Sequence, residues 1–239
     1  MALNYQYVCR TPSEIPEEAY ARLRREIGMN VGQPFGKLFP TFAQAFTRTT
    51  EALEEHWPIP VIACDKWRND WLVTAVLSRN DLNLYLDLVI ASEPIEGDAF
   101  EREHSMLPTR WVELYRMFWS FVITDSPVKP MQWKNTPFSY PARLSLEEFR
   151  RHIGAKKAAA LGFEKITGVS SPDFLRCWLW NDAGDALFID ERKRDKLVFH
   201  VRGNNLTDVL VLRDAEKILD EYLAHIVAGR KPAEFDFRK

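Results

Sequence analysis

Hydrophobic and polar positions alternate most cleanly near residue 85. Leu84, Leu86, Leu88 and Ile90 fall on one side of the run, and Asn83, Tyr85, Asp87 and Val89 on the other. Successive side chains of a strand point to opposite faces, so this period of two predicts a strand with one buried face. Residues Asp70 to Leu77, rich in apolar and β-branched side chains, precede it across a turn at Arg79-Asn80-Asp81, and together they predict a meander hairpin.

Elsewhere the spacing is helical. Ile15, Ala19, Tyr20, Leu23 and Ile27 share one face and predict a helix from about Pro16 to Ile27, ended by Gly28. Residues Met29 to Phe39, with Gly32, Pro34 and Gly36, read as a loop. A second helix opens at Thr41, as N-cap, with Phe42, Ala45, Phe46, Thr49 and Leu53 inward. Pro58 and Pro60 stop it near Trp57. A third starts at Pro108 and carries Trp111, Leu114, Tyr115, Phe118 and Val122. Ser145-Leu-Glu-Glu148 is a capping-box pattern for a short helix bearing Leu146, Phe149 and Ile153, which residues 156–161 continue or follow with another. Phe174 to Trp180, Ala186 to Asp190, Lys196 to Val201 and Val209 to Leu212 read as strands. The last helix has the strongest pattern: Asp214 caps it, Ala215, Ile218, Leu219, Tyr222, Leu223, Ile226 and Val227 form one stripe, and Gly229 ends it. The expected fold is α+β: a mixed, largely antiparallel sheet, built from the strands near 70–90 and 174–212 and covered by helices.

Two segments break these patterns. Glu93, Glu96, Asp98, Glu101 and Glu103 surround the single Arg102 in an acidic connector. It divides an N-terminal α+β region (1–98) from a C-terminal α+β domain (99–239), and reads as a solvated loop or as a contact surface for a basic partner. Residues 124–143 carry Pro127, Pro130, Pro137 and Pro141, which exclude regular helix and interior strand. Trp133, Phe138 and Tyr140 stand among them, either stapling a long loop to the core or projecting as binding anchors.

Composition narrows the function. The 239 residues are 46% hydrophobic and 28% charged, enough for one large domain or two small ones. Thirty-two Lys and Arg against 34 Asp and Glu give a net charge of −2, without the basic excess of a nucleic-acid binder. The densest basic run, Arg192-Lys193-Arg194, is fenced by Asp190, Glu191 and Asp195 and reads as a polar hairpin tip. Cys9, Cys64 and Cys177 are too few and too scattered for a disulfide framework or a zinc site, and Cys177 reads as a buried thiol. No leader pattern and no run of ~20 apolar residues is visible, so a cytoplasmic protein without a membrane partner is expected.

The common nucleotide, hydrolase and metal motifs are missing. His56, His104, His152, His200 and His225 are dispersed and read as satisfied structural residues. Asp185 and Asp190 flank a strand, but sequence alone does not give them the burial that acid/base work needs. The expectation is a binding protein rather than an enzyme, with no catalytic residue, cofactor or metal.

Two stretches of the C-terminal half carry a resemblance. Leu107-Pro-Thr-Arg-Trp-Val-Glu-Leu-Tyr115 looks like an early helix leading into a sheet. Gly184-Asp-Ala-Leu-Phe-Ile-Asp190 is followed by a hairpin to Val201, then Val209 to Leu212 and a closing amphipathic helix. In this order the half resembles the SMI1/KNR4 (SUKH) superfamily. Trp119-Ser-Phe-Val-Ile-Thr124 stands where that family has a glycine, and the first 95 or so residues have no counterpart in it. The resemblance implies an α+β domain without shared catalytic residues. It also implies, as for many bacterial members, an immunity protein whose partner is a cognate protein toxin delivered between competing cells; the alternatives are a regulatory or scaffold binding protein of cell-envelope processes and an enzyme with dispersed carboxylates.

Overall fold

The alternating run at residue 84 is a strand whose positions are buried and half-buried in strict turn from Leu84 to Ile90. Its place is the fourth strand of a five-stranded sheet. A computed structural model describes residues 5–67, 70–79, 81, 84–91, 105–124, 131, 144–154, 172–181, 184–192, 197–203 and 205–238. The first sheet joins β1 (Tyr7–Cys9), β2 (Val61–Trp67), β3 (Asp70–Arg79), β4 (Leu84–Ile90) and β5 (Phe118–Thr124) in that order. The second joins β6 (Leu144–Ser145), β7 (Leu175–Trp180), β8 (Ala186–Asp190), β9 (Val198–Arg202) and β10 (Asn205–Leu212), with neighbours in chain order. Every pairing is antiparallel. The fold is α+β, but the strands near 70–90 and those near 174–212 form two sheets, not one. The first sheet takes β5 from beyond residue 98.

The helices are α1 (Glu17–Tyr20), α2 (Arg25–Met29), α3 (Phe35–Leu38), α4 (Pro40–Ala45), α5 (Thr47–His56), α6 (Thr109–Met117), α7 (Leu146–Ile153) and α8 (Ala215–Val227). Rings dominate the main core. Phe35, Phe39, Phe42 and Phe118 meet at centroid separations of 4.9–5.6 Å, and Phe42 stacks on Phe46. This core reaches from α1–α6 and the first sheet to the stripe of α8 and one face of the second sheet, through Trp178, Leu187, Ile189, Val198 and Leu212. A smaller cluster lies on the other face of the second sheet, where α7 sets Leu146, Phe149 and Ile153 against Cys177, Phe188, Phe199 and Val201.

Several expected elements divide. The helix expected from Pro16 to Ile27 is two short helices. Arg24 adopts extended dihedrals between them and its Nη2 donates to the Arg116 carbonyl at 3.0 Å. Gly28 lies inside α2 rather than ending it, because a Cβ there would sit 2.8 Å from the Tyr20 ring. The stretch expected as a loop from Met29 to Phe39 contains α3, which buries Phe35 and Leu38. The helix expected from Thr41 breaks at Phe46 into α4 and α5, and Thr41 is not its cap. The helix expected through Val122 stops at Met117 and the chain continues as β5. The capping box at Ser145 and the Asp214 cap of α8 form as expected, and Gly229 ends α8 at φ +84°. Among the described residues no helix is long and apolar enough to cross a membrane.

Candidate functional site

The site is built where α5 and α8 lie side by side. Phe46, before α5, offers no side-chain cap, so the first amides of α5 need another acceptor. Asp220 supplies it from α8. Its buried carboxylate accepts from Arg48 N at 3.1 Å, Thr49 N at 2.9 Å and Thr49 Oγ1 at 2.7 Å. At the far end Trp57 Nε1 donates to the Val227 carbonyl at 2.7 Å. Contacts run from 48–49 with 220 to 57 with 227, so the helices point the same way.

Above this seam lies a cleft of about 620 Å³. Ala52, Ala224 and Ala228 line it with little side-chain bulk, and the segment Arg230–Asp236 contributes Arg230, Glu234, Phe235 and Asp236. Phe235 anchors that segment against Tyr222 and His225, at ring separations of 5.4 and 5.5 Å. His225 Nε2 donates to the Lys231 carbonyl at 2.9 Å, which fixes that nitrogen as the protonated one.

Charge is unevenly spread along the cleft. Near the start of the helices Arg48 and Lys217 both approach Glu221, at 3.4 and 4.0 Å. Further along, Glu51, Glu55, Glu234 and Asp236 face Arg230 as the remaining lining cation, with His56 Nε2 3.8 Å from Glu55. Taken whole, the lining sets five carboxylates against two guanidinium groups and one ammonium, an excess that favours cationic side chains of a visiting molecule. Among the described residues no group of three His, Cys, Asp or Glu is placed to hold a metal ion.

The residues expected at a partner surface, Glu93, Glu96, Asp98, Glu101, Glu103, Trp133, Phe138 and Tyr140, all lie outside the described residues, as do His104, Lys193 and Arg194. Within the proline-rich segment Met131 is described: it is buried, and its N–H donates to the Tyr222 hydroxyl at 2.9 Å. Asp185 and Asp190 serve the backbone. Asp185 Oδ1 accepts from Gly203 N at 2.7 Å, and Asp190 Oδ1 from Arg192 N at 3.0 Å. Cys177 is a buried thiol as expected.

His200 departs from expectation. It is 4% exposed and stacks on Phe237 with ring centroids 3.8 Å apart, but among the described residues its Nε2 has no hydrogen-bond partner. Burial pushes its pKa down to about 4, so the ring sits neutral in the core.

The cleft was not foreseen from the sequence, although a signal exists. Lys217, Glu221, Ala224 and Ala228 follow helical spacing beside the apolar stripe of α8, and Arg48, Ala52 and Glu55 do so on α5. Comparisons with family models, with curated proteins and with solved structures find no match to this chain.

Proposed function

We propose that this protein is an immunity protein of the SUKH type, which neutralises a cognate protein toxin by forming a stoichiometric complex that occludes the toxin's active surface. The observation that carries the reading is the cleft between α5 (Thr47–His56) and α8 (Ala215–Val227), whose lining sets five carboxylates, Glu51, Glu55, Glu221, Glu234 and Asp236, against three cations, Arg48, Lys217 and Arg230. A toxin that acts on nucleic acid presents basic groups to its substrate, and an acidic cleft on a rigid helix pair is complementary to them. The helix seam is closed by Asp220 and Trp57, so its geometry is set before association and little ordering is lost on binding. The helix at Thr109–Met117, the hairpins of the second sheet and the closing helix α8 follow the element order on which the resemblance rests. In this reading the acidic connector 93–103 is a second contact segment, and Trp133, Phe138 and Tyr140 supply apolar anchors.

The test is to search the neighbouring genes for a toxin domain, co-express that domain with this chain and follow the purified pair by calorimetry. The expected result is restored growth and a 1:1 complex. Growth restored without a complex, or a complex that leaves the toxin fully active, contradicts the reading.

A further inference from the structure

The sequence separates Cys9 from Cys64 by the whole N-terminal helical run, but the first sheet brings them together. β1 pairs with β2 in the register Tyr7↔Cys64, Val8↔Ala63 and Cys9↔Ile62. Positions two apart on a strand share a face, so Cys9 and Cys64 lie on the same face as diagonal neighbours. In the closed state the Cys9 thiol donates to the Glu14 carbonyl at 3.3 Å. Both cysteines are buried, at 1% and 0% exposure.

What separates the pair from solvent is slight. β1 is three residues long, lies at the sheet edge and among the described residues pairs its backbone with β2 alone, with the Tyr7 ring 5.8 Å from Trp71 of β3, and two of its three side chains, Tyr7 and Val8, are exposed. A short edge strand opens at lower free energy than the core. We infer that Cys9 and Cys64 form a reversible disulfide site, in which oxidation by a low-molecular-weight disulfide links the edge strand β1 to β2.

The chemistry balances. When β1 opens, the Cys9 thiolate attacks the small disulfide R–S–S–R, forming Cys9–S–S–R and releasing RS⁻, which takes a proton from water. Cys64 then loses its proton to solvent and attacks Cys9 Sγ, forming the Cys9–Cys64 bond and releasing the second RS⁻. Two protein thiols lose two electrons and two protons, and one small disulfide becomes two thiols. Cys9 is the first nucleophile because it lies on the strand that opens. In the closed state burial raises the Cys9 thiol and pushes Cys64 up to about 12, so the reaction waits on opening and is slow. Disulfides favour Cα separations of ~4.4–6.8 Å, and diagonal strand neighbours start at roughly 7–8 Å. Among the described residues β1 pairs its backbone with no second strand, so the small shift this requires breaks no further ladder. The link would enclose α1–α5 in one covalent loop. Cys177, buried on the second sheet against the Leu179 carbonyl, is the internal control.

The full chain is equilibrated in glutathione buffers of graded redox poise, quenched with acid, denatured and alkylated. Intact mass counts the labels, and a peptide map locates any bridge. We expect three labels under reducing conditions and one under oxidising conditions, with Cys9 joined to Cys64. The melting temperature should rise by roughly 5–15 °C on oxidation. Cys177→Ser should keep the transition, while Cys9→Ser should remove it. Three labels at every poise, a persistent glutathione adduct on Cys9, or a bridge to Cys177 would overturn the inference, and the wild-type label count decides even if a variant fails to fold.

Discussion

The two sheets have the same size and the same antiparallel wiring, but they are buried differently. Along β4 of the first sheet burial alternates residue by residue. Along β8 of the second all five residues, Ala186–Asp190, are buried, with Leu187 and Ile189 in the main core and Ala186 and Phe188 in the cluster under α7. A strand with one covered face keeps its alternation, whereas one covered on both faces becomes a continuous apolar run. The difference also divides the labour. The main core joins helices, first sheet and second sheet, while the α7 cluster is a local patch on the outside of the second.

If the main core ties both sheets into one cooperative unit, a lesion in it should be felt by both. Phe118, on β5 of the first sheet, is fully buried against Phe39 and Phe42. Phe118→Ala should cost about 3–5 kcal/mol in urea denaturation, with far-ultraviolet and tryptophan signals still coincident. Separate transitions would break the comparison, because the sheets would then melt independently.

The core-facing side of the second sheet contains one buried imidazole. The folded protein holds His200 neutral down to about pH 4, whereas the unfolded chain takes up its proton near ~6.5. Stability from this residue is complete above about pH 6.5 and falls as pH drops towards 4, by up to about 3 kcal/mol. In His200→Leu the gap between variant and wild type should therefore widen in the variant's favour between pH 6.5 and 4.5. A parallel pH dependence in the two proteins would place His200 outside the acid response.

Asp220 tests how the helix seam is held. Asp220→Ala leaves two amides of α5 without their acceptor, while the Thr49 hydroxyl keeps the Asp220 carbonyl at 3.1 Å, and should destabilise by about 2 kcal/mol. Ser145→Ala removes the capping box of α7, which covers only the outer face of the second sheet, and should cost about 1 kcal/mol. Hydrogen exchange should show that loss confined to α7 and its neighbours; loss spread through the first sheet would erase the distinction between core and patch.

The features legible in the sequence are those decided locally. The alternation of β4, the capping box at Ser145 and the stripe, cap and terminal glycine of α8 each rest on a few adjacent residues. β7, β8 and β9 were legible as apolar runs because both of their faces are covered, whereas only Val209–Leu212 of the more exposed β10 was legible and β6 was not. The N-terminal helices were misdivided because tertiary bonds cut them: Arg24 reaches the Arg116 carbonyl, and Asp220 caps α5 across more than 170 positions of chain. β5 was hidden because Phe118 and Val122 happen to continue the helical spacing of α6. β2 follows two prolines and has no clean alternation. The cleft needs two helices from opposite ends of the chain, so its spacing signal carries meaning only once the partner helix is known.

The central claim is that the acidic cleft between α5 and α8 receives a basic partner. Its most direct test is the association rate with a toxin domain found to be restrained by this protein in co-expression, measured for wild type and for the Glu51→Gln, Glu55→Gln, Glu234→Gln triple variant at low and at physiological salt. The variant should melt like wild type, because surface changes of this kind fall within about 0.5 kcal/mol. The account predicts association slowed about tenfold at low salt and a flatter salt dependence. A folded variant that associates at the wild-type rate at low salt would contradict it.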